Sequence, residues 1–150
     1  MLINKNDFAY DVFISYRQKE PDKSWVHNIL LPRLESEAIK VFIDFRDFRL
    51  GYPIVAEMGR AVEQSRFTVA ILTPAYLESN YTELENILAE HSGLEIGIHR
   101  LLVIMREKCQ PRIGIRARLW LDMTNEKEID QNFLRLLSHI KKHDDLLNSK

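Results

Sequence analysis

Five short runs of β-branched and aromatic residues punctuate the chain, and segments with apolar positions three and four apart separate them. The runs are residues 10–16 (Tyr-Asp-Val-Phe-Ile-Ser-Tyr), 40–44, 67–73, 101–105 and 118–123. Their nearly continuous apolar character predicts strands covered on both faces rather than half-solvated ones. Residues 24–37 carry Val26, Ile29, Leu30 and Leu34 at helical spacing, with Pro32 expected to kink or restart the helix. A second stripe, Ile54, Met58, Ala61 and Val62, follows Pro53, which suits a first helical position. A third helix is predicted over residues 83–91 on Leu84, Ile87 and Leu88, with Gly93 ending it. The last starts near Asn125, whose side chain caps it with Glu128 reaching back, and buries Ile129, Phe133, Leu136, Leu137 and Ile140. Residues 143–150 read as a frayed tail.

Alternating strands and helices imply a parallel sheet with right-handed crossovers and helices on both faces. Ligands of such sheets sit beyond the carboxyl ends of the strands, where the strand order switches. The loops after Tyr16, Asp44 and Thr73 are therefore the places to look for chemistry. No repeat, low-complexity tract or linker divides the chain.

Composition narrows the possibilities. The 150 residues suffice for one domain with a real core, and 45% hydrophobic with 29% charged residues is ordinary globular usage. With 21 Lys+Arg against 22 Asp+Glu, there is no cationic excess to bind nucleic acid or a membrane surface, and neither partner is expected. Cys109 is the single cysteine, so no intrachain disulfide forms and a reducing, cytoplasmic setting is expected. The longest apolar runs are too short to span a bilayer.

Particular residues then point to a family. Residues 10–16 resemble the opening motif of Toll/interleukin-1 receptor (TIR) domains, and residues 42–51 (Phe-Ile-Asp-Phe-Arg-Asp-Phe-Arg-Leu-Gly) resemble their second strand and the long loop after it, in wording closest to bacterial members. Residues 65–74 match the third strand and residues 79–85 the start of the next helix. The resemblance runs over about residues 10–142. It implies a flavodoxin-like three-layer sandwich with a five-stranded parallel sheet in the order 2-1-3-4-5. Residues 1–9 would be an extension, 10–143 the TIR domain, and 144–150 a tail leading to a further domain.

Many TIR domains are scaffolds, and some cleave NAD⁺ into nicotinamide and ADP-ribose or a cyclic isomer. The enzymatic members carry an aromatic residue followed four positions later by a glutamate. Here these are Tyr81 and Glu85, with Tyr replacing the usual Trp. The Phe-Trp motif typical of animal receptor members is absent, with Phe133-Leu134 the nearest stretch. The resemblance thus implies an NAD⁺ glycohydrolase of bacterial antiphage signalling, activated by self-assembly. The alternative is a non-catalytic module that recruits other TIR domains through residues 46–53.

One carboxylate suffices for this chemistry. Nicotinamide departs from a cationic pyridinium as a neutral molecule and needs no proton donor, while the ribose gains oxocarbenium character. An anionic group beside the ribose is what remains to be supplied, and Glu85 is the candidate. Its other reading is an ordinary solvated helix residue. Tyr81 either stacks on nicotinamide or covers the helix start. Tyr16 and Arg17 leave the first strand at its carboxyl end. Arg17 there meets a pyrophosphate or pairs with Glu20 or Asp22. In the next loop, with Phe48 and Arg49, Gly51 can take positive φ ahead of a helix whose amino end attracts anions. Phe48 either contacts a ligand or neighbour, or folds back onto the domain.

Other signals are weaker. No glycine-rich phosphate motif is present, so NAD⁺ would be a consumed substrate and no cofactor is expected. His139 and His143 stand four apart without a third metal ligand, and no metal is expected. Basic neighbours Arg106, Lys108 and Arg112 would lower the Cys109 pKa, though no catalytic context accompanies it. With Arg116 and Arg118 they form one basic cluster, read as an exposed loop. A phosphoacceptor receiver domain shares the alternation, but the third strand ends Leu72-Thr73-Pro74 without the aspartate it needs.

Overall fold

In the computed structural model, residues 8–79, 83–87, 100–111 and 119–148 are described, apart from the side chains of residues 79 and 143–148. Strands β1 (Tyr10–Ser15), β2 (Val41–Phe42), β3 (Ser65–Leu72), β4 (Leu101–Met105) and β5 (Leu121–Asp122) form one sheet in the order β2-β1-β3-β4-β5. Every pairing is parallel, with Val12 beside both Val41 and Phe67, and Ala70 beside both Ser15 and Val103. The expected architecture and strand order are those observed.

The side-chain period of two divides the apolar residues between two cores, one on each face. Val12, Ile14, Val69, Ile71 and Ile104 face the helices of residues 22–36 and the carboxy-terminal helix. Phe13, Phe42, Ala70, Leu72, Val103 and Met105 face α4 (Ile54–Gln64), α5 (Pro74–Ser79) and the helical turn α6 of residues 83–87. All eight residues of β3 are buried, as befits a central strand covered on both sides.

Pro32 acts as its chemistry requires. Helix α1 (Asp22–Trp25) passes into a π-helical stretch (Val26–Leu30), where the N–H of Leu31 reaches the carbonyl of Val26 five residues back. Pro32 has no N–H for Asn28, and a new helix, α2 (Leu31–Ser36), restarts around it. A short α3 (Asp44–Asp47) follows β2 directly.

The bounds of four elements differ from expectation. Pro53 is extended (φ −59°, ψ 138°) and precedes α4, whose first residue is Ile54. The second and fifth strands pair over only two residues each. The final helix α7 (Glu126–Asn148) continues past His143 to Asn148, because nothing in His-Asp-Asp-Leu-Leu-Asn interrupts the helical ladder. Asn125 caps it as expected, its side chain accepting the N–H of Lys127 at 3.1 Å, but Glu128 contributes its main-chain N–H to the Asn125 carbonyl at 3.0 Å and its side chain does not reach back. The predicted end of the third helix, from Leu88 to Gly93, lies outside the described residues. Among the described residues, no helix is long and apolar enough to cross a membrane.

Candidate functional site

A cleft of about 190 Å³ opens at the carboxyl end of β1, beside the switch in strand order. Phe13, Ser15 and Tyr16 line it from β1 and its exit, Asp44 and Phe48 from the segment after β2, and Ile54 and Met58 from α4. The Ser15 hydroxyl meets the Tyr76 hydroxyl at 2.7 Å in a buried contact, tying the cleft to α5. Thr73 organises that helix: its hydroxyl accepts the Tyr76 N–H at 3.2 Å and donates to buried Asp22 at 2.7 Å.

Tyr16 is buried and its hydroxyl is fully engaged. It donates to Asp44 Oδ1 at 2.7 Å and lies 2.7 Å from His27 Nε2. With the phenolic O–H directed at Asp44, the second bond to the Tyr16 oxygen comes from His27 as the Nε2–H tautomer. Burial, reinforced by the Asp44 bond and charge, raises the Tyr16 pKa well above the usual phenol range. Burial also pushes the Asp44 carboxyl up, against the lowering effect of the Tyr16 bond. Phe45 covers the His27 ring at 4.3 Å. The network joins β1, the first helix and α3, and so fixes one wall of the cleft.

The remaining candidates divide between this site and structural work. Phe48 folds back against Phe13 and Phe42, with ring centroids 6.2 and 6.0 Å away, and in doing so makes a cleft wall. Arg17 Nη1 donates to the Ala75 carbonyl at 3.2 Å. Gly51 takes the anticipated positive φ of 81° with open space around it, so conformation and not crowding calls for glycine. Arg49 stands outside the cleft lining: its guanidinium grips Glu57 (Nη2 to Oε2, 2.8 Å) and lies 3.8 Å over the Tyr52 ring.

Glu85 is half-buried on α6, between buried Leu84 and Ile87. Those two residues belong to the same core as Phe13 and Met58, so α6 packs on the same face of the sheet as α4, and Glu85 is not among the residues that line the cleft. Tyr81 lies outside the described residues.

Two features were missed in the sequence. Glu57 is only 1% exposed and accepts bonds from Arg49 and Arg60, which hold its carboxyl down to about 2, the Arg49 side chain contributing most. Its signal was available: a glutamate directly before Met58 and four before Ala61 falls on the buried stripe, from which the expected member Ile54 departs by lying exposed at the helix start. The loop beside it presents Leu50 at 97% exposure, with Tyr52, Ile54 and Val55 also exposed. Elsewhere, between β4, β5 and α7, an apolar groove of about 390 Å³ is lined by Leu101, Leu102, Leu119, Leu121 and Leu136, with Arg135 and Lys142 at its margin.

Cys109 corrects its expectation: partial burial, with the Glu107 charge, raises its thiol pKa. His139 packs 5.4 Å from Phe67, and the side chain of His143 lies outside the described residues. Among the described residues no three His, Cys, Asp or Glu side chains are grouped to hold a metal. Arg106 donates to the Met123 carbonyl at 2.8 Å, whereas Arg112, Arg116 and Arg118 fall outside the described residues.

Comparison with known proteins gives a family model described as a TIR domain, matching residues 12–137. Toll-like receptor 6 of Mus musculus is 31% identical over 103 residues, covering 69% of this chain and 13% of the receptor. Protein toll of Drosophila melanogaster is 33% identical over 101 residues, covering 66% of this chain and 9% of that protein. The chain therefore spans only a small part of the curated relatives it matches. The crystal structure of the TIR domain of the Toll-related receptor TRR-2 from Hydra magnipapillata superposes with a TM-score of 0.73 at 25% identity, covering 89% of this chain and 99% of that one.

Proposed function

This chain belongs to the TIR domain family, and we propose that it is a self-assembling TIR domain that cleaves the nicotinamide–ribose bond of NAD⁺. The observation that supports the reading is the half-buried Glu85, on a helical turn packed on the same sheet face as α4, whose Ile54 and Met58 line the cleft. A carboxylate partly withdrawn from water would stabilise a ribosyl cation more strongly than one in bulk solvent. Nicotinamide leaves uncharged, so no second acid is required. Water then attacks the ribosyl carbon to give ADP-ribose, or a ring atom of the adenine closes onto it to give a cyclic isomer. Phe48 and Tyr16 would wall the substrate, and Arg17, between the cleft-lining Tyr16 and Gln18, would meet its pyrophosphate. The bacterial wording of residues 42–51 suggests a defence system of a bacterium, a setting that the animal Toll relatives do not themselves indicate.

Self-association rests on a separate observation. Exposed Leu50, Tyr52, Ile54 and Val55 form an apolar projection, and the groove between β4, β5 and α7 is an apolar recess at a different place on the fold. Two unlike complementary patches make a head-to-tail contact, which propagates into an open array instead of closing into a dimer. The same projection supports a second reading, a binding-only TIR module, in line with the Toll receptors it resembles.

Nicotinamide release by concentrated protein separates the two readings. The enzymatic account expects release from the native chain and none from Glu85→Ala. Association with neither protein releasing nicotinamide leaves the binding module.

A further inference from the structure

Strand β5 pairs with β4 only at Ile104 and Met105, so the first three residues of β4 border the groove between the sheet edge and α7. Leu101, Leu102, Leu119 and Leu121 make its apolar side, and Leu119 is 70% exposed. The α7 side is a polar row. Arg135, Ser138, His139 and Lys142 fall at i, i+3, i+4 and i+7, on one face of the helix, and all four line the groove. Each carries a hydrogen-bond donor, and no acidic residue is among the described residues of the lining.

Other surface cations of the fold are matched with acids: Lys141 with Glu37 at 3.2 Å, Arg33 with Asp130 at 2.7 Å and Arg46 with Glu35 at 3.0 Å. Arg135 and Lys142 have no such partner among the described residues. Leucines on one side and unmatched cations along the other complement a ligand that is apolar along its length and anionic at one end. The volume of about 390 Å³ is that of a small-molecule site. A helix about 10 Å across fills roughly 420 Å³ per turn, so a partner helix would seat barely one turn and miss anchors two turns apart.

We propose that this groove binds a single-chain carboxylate of the medium-chain fatty acid class. The alkyl chain lies on the leucines, and the carboxylate sits among Arg135, Ser138 and Lys142. The guanidinium offers paired N–H groups that match a carboxylate, and the ammonium adds a second charge. The inference does not rest on the enzymatic reading. It competes with the self-association reading for this recess, and the test separates the two occupants.

Isothermal titration of the native chain with hexanoate, octanoate and decanoate, each below its micelle-forming concentration, tests the proposal. Affinity should rise about fourfold for each methylene that the groove buries. Replacing both cations, Arg135→Gln with Lys142→Gln, should weaken octanoate about tenfold and leave 1-octanol, which lacks the charge, unchanged. Leu119→Glu should abolish binding, whereas Leu50→Glu, on the other apolar patch, should bind as the native chain does. Leu50, Leu119, Arg135 and Lys142 are all exposed, so the variants should keep native circular dichroism. Equal octanoate affinity in the double cation variant, normal binding by Leu119→Glu, or a series flat with chain length would overturn the proposal. So would an absence of binding to the native chain. If the carboxylates do not bind and Leu119→Glu disperses oligomers of the native chain in sedimentation, the groove belongs to a second copy.

Discussion

The hydroxyls of Ser15 and Tyr76 meet at 2.7 Å in the interior, joining the last residue of β1 to the helix that follows β3. Ser15 lines the cleft, and Tyr76 is completely buried, so this bond couples the cleft floor to the segment that leads towards Glu85. Deleting one partner strands the other without water. Tyr76→Phe is expected to lower stability by about 1–3 kcal/mol, while Ser15→Ala made in addition recovers part of that loss. Urea unfolding of the two single variants and the double variant measures the coupling. Strict additivity of the two losses would argue that the bond is immaterial.

Acid stability follows from Glu57. Its folded pKa, about 2, lies below the unfolded value near 4.3, so its contribution is complete above the unfolded value and is lost as pH falls through the folded one. Asp44 works in the opposite direction. Its folded pKa is raised, so it favours the folded state when protonated, and that contribution fades as pH rises through the folded pKa. The native chain should therefore lose stability between about pH 4.5 and pH 2, and Glu57→Gln should flatten that part of the profile. Thermal unfolding midpoints across this range provide the check; parallel profiles for the two proteins would dismiss the assignment.

Much of the architecture was legible because it is locally encoded. The continuous apolar, β-branched runs of β1, β3 and β4 marked doubly covered strands, and their alternation with helices implied a parallel sheet. Pro32 announced the helix restart through its missing N–H. What escaped was tertiary in origin. Residues 46–53 mix Arg46, Asp47 and Arg49 with Phe48, Leu50 and Tyr52, and only the fold shows that Glu57 binds Arg49 there and leaves Leu50 outside. Phe48 was equally compatible with a ligand contact or a core contact, and it serves the core while walling the cleft. Cys109 looked activated by its basic neighbours in sequence, yet desolvation in the fold dominates.

Capping of α7 offers a simpler prediction. The Asn125 side chain satisfies the Lys127 N–H, so Asn125→Ala should cost about 1 kcal/mol, visible as a lowered urea midpoint with an unchanged slope. Asn125→Asp should be nearly neutral, because aspartate accepts the same bond. A loss of equal size in both variants would point away from the cap.

Phe48 separates wall from scaffold. Phe48→Leu keeps apolar volume against Phe13 and Phe42 but removes the flat ring facing the cleft. Its stability should fall by no more than about 1.5 kcal/mol, as for other large apolar exchanges. The NAD⁺ concentration for half-maximal nicotinamide release should rise several-fold. An unaltered KM would remove Phe48 from the substrate wall.

The most direct measurement is the rate of nicotinamide release at saturating NAD⁺ by concentrated native protein and by Glu85→Gln, which keeps the size of the side chain and removes its charge. A drop of roughly 10²–10³ in kcat with little change in KM is the predicted result, the signature of a group needed in the transition state alone. Equal rates in the two proteins would contradict the account, because the ribosyl cation would then be forming without the carboxylate assigned to stabilise it.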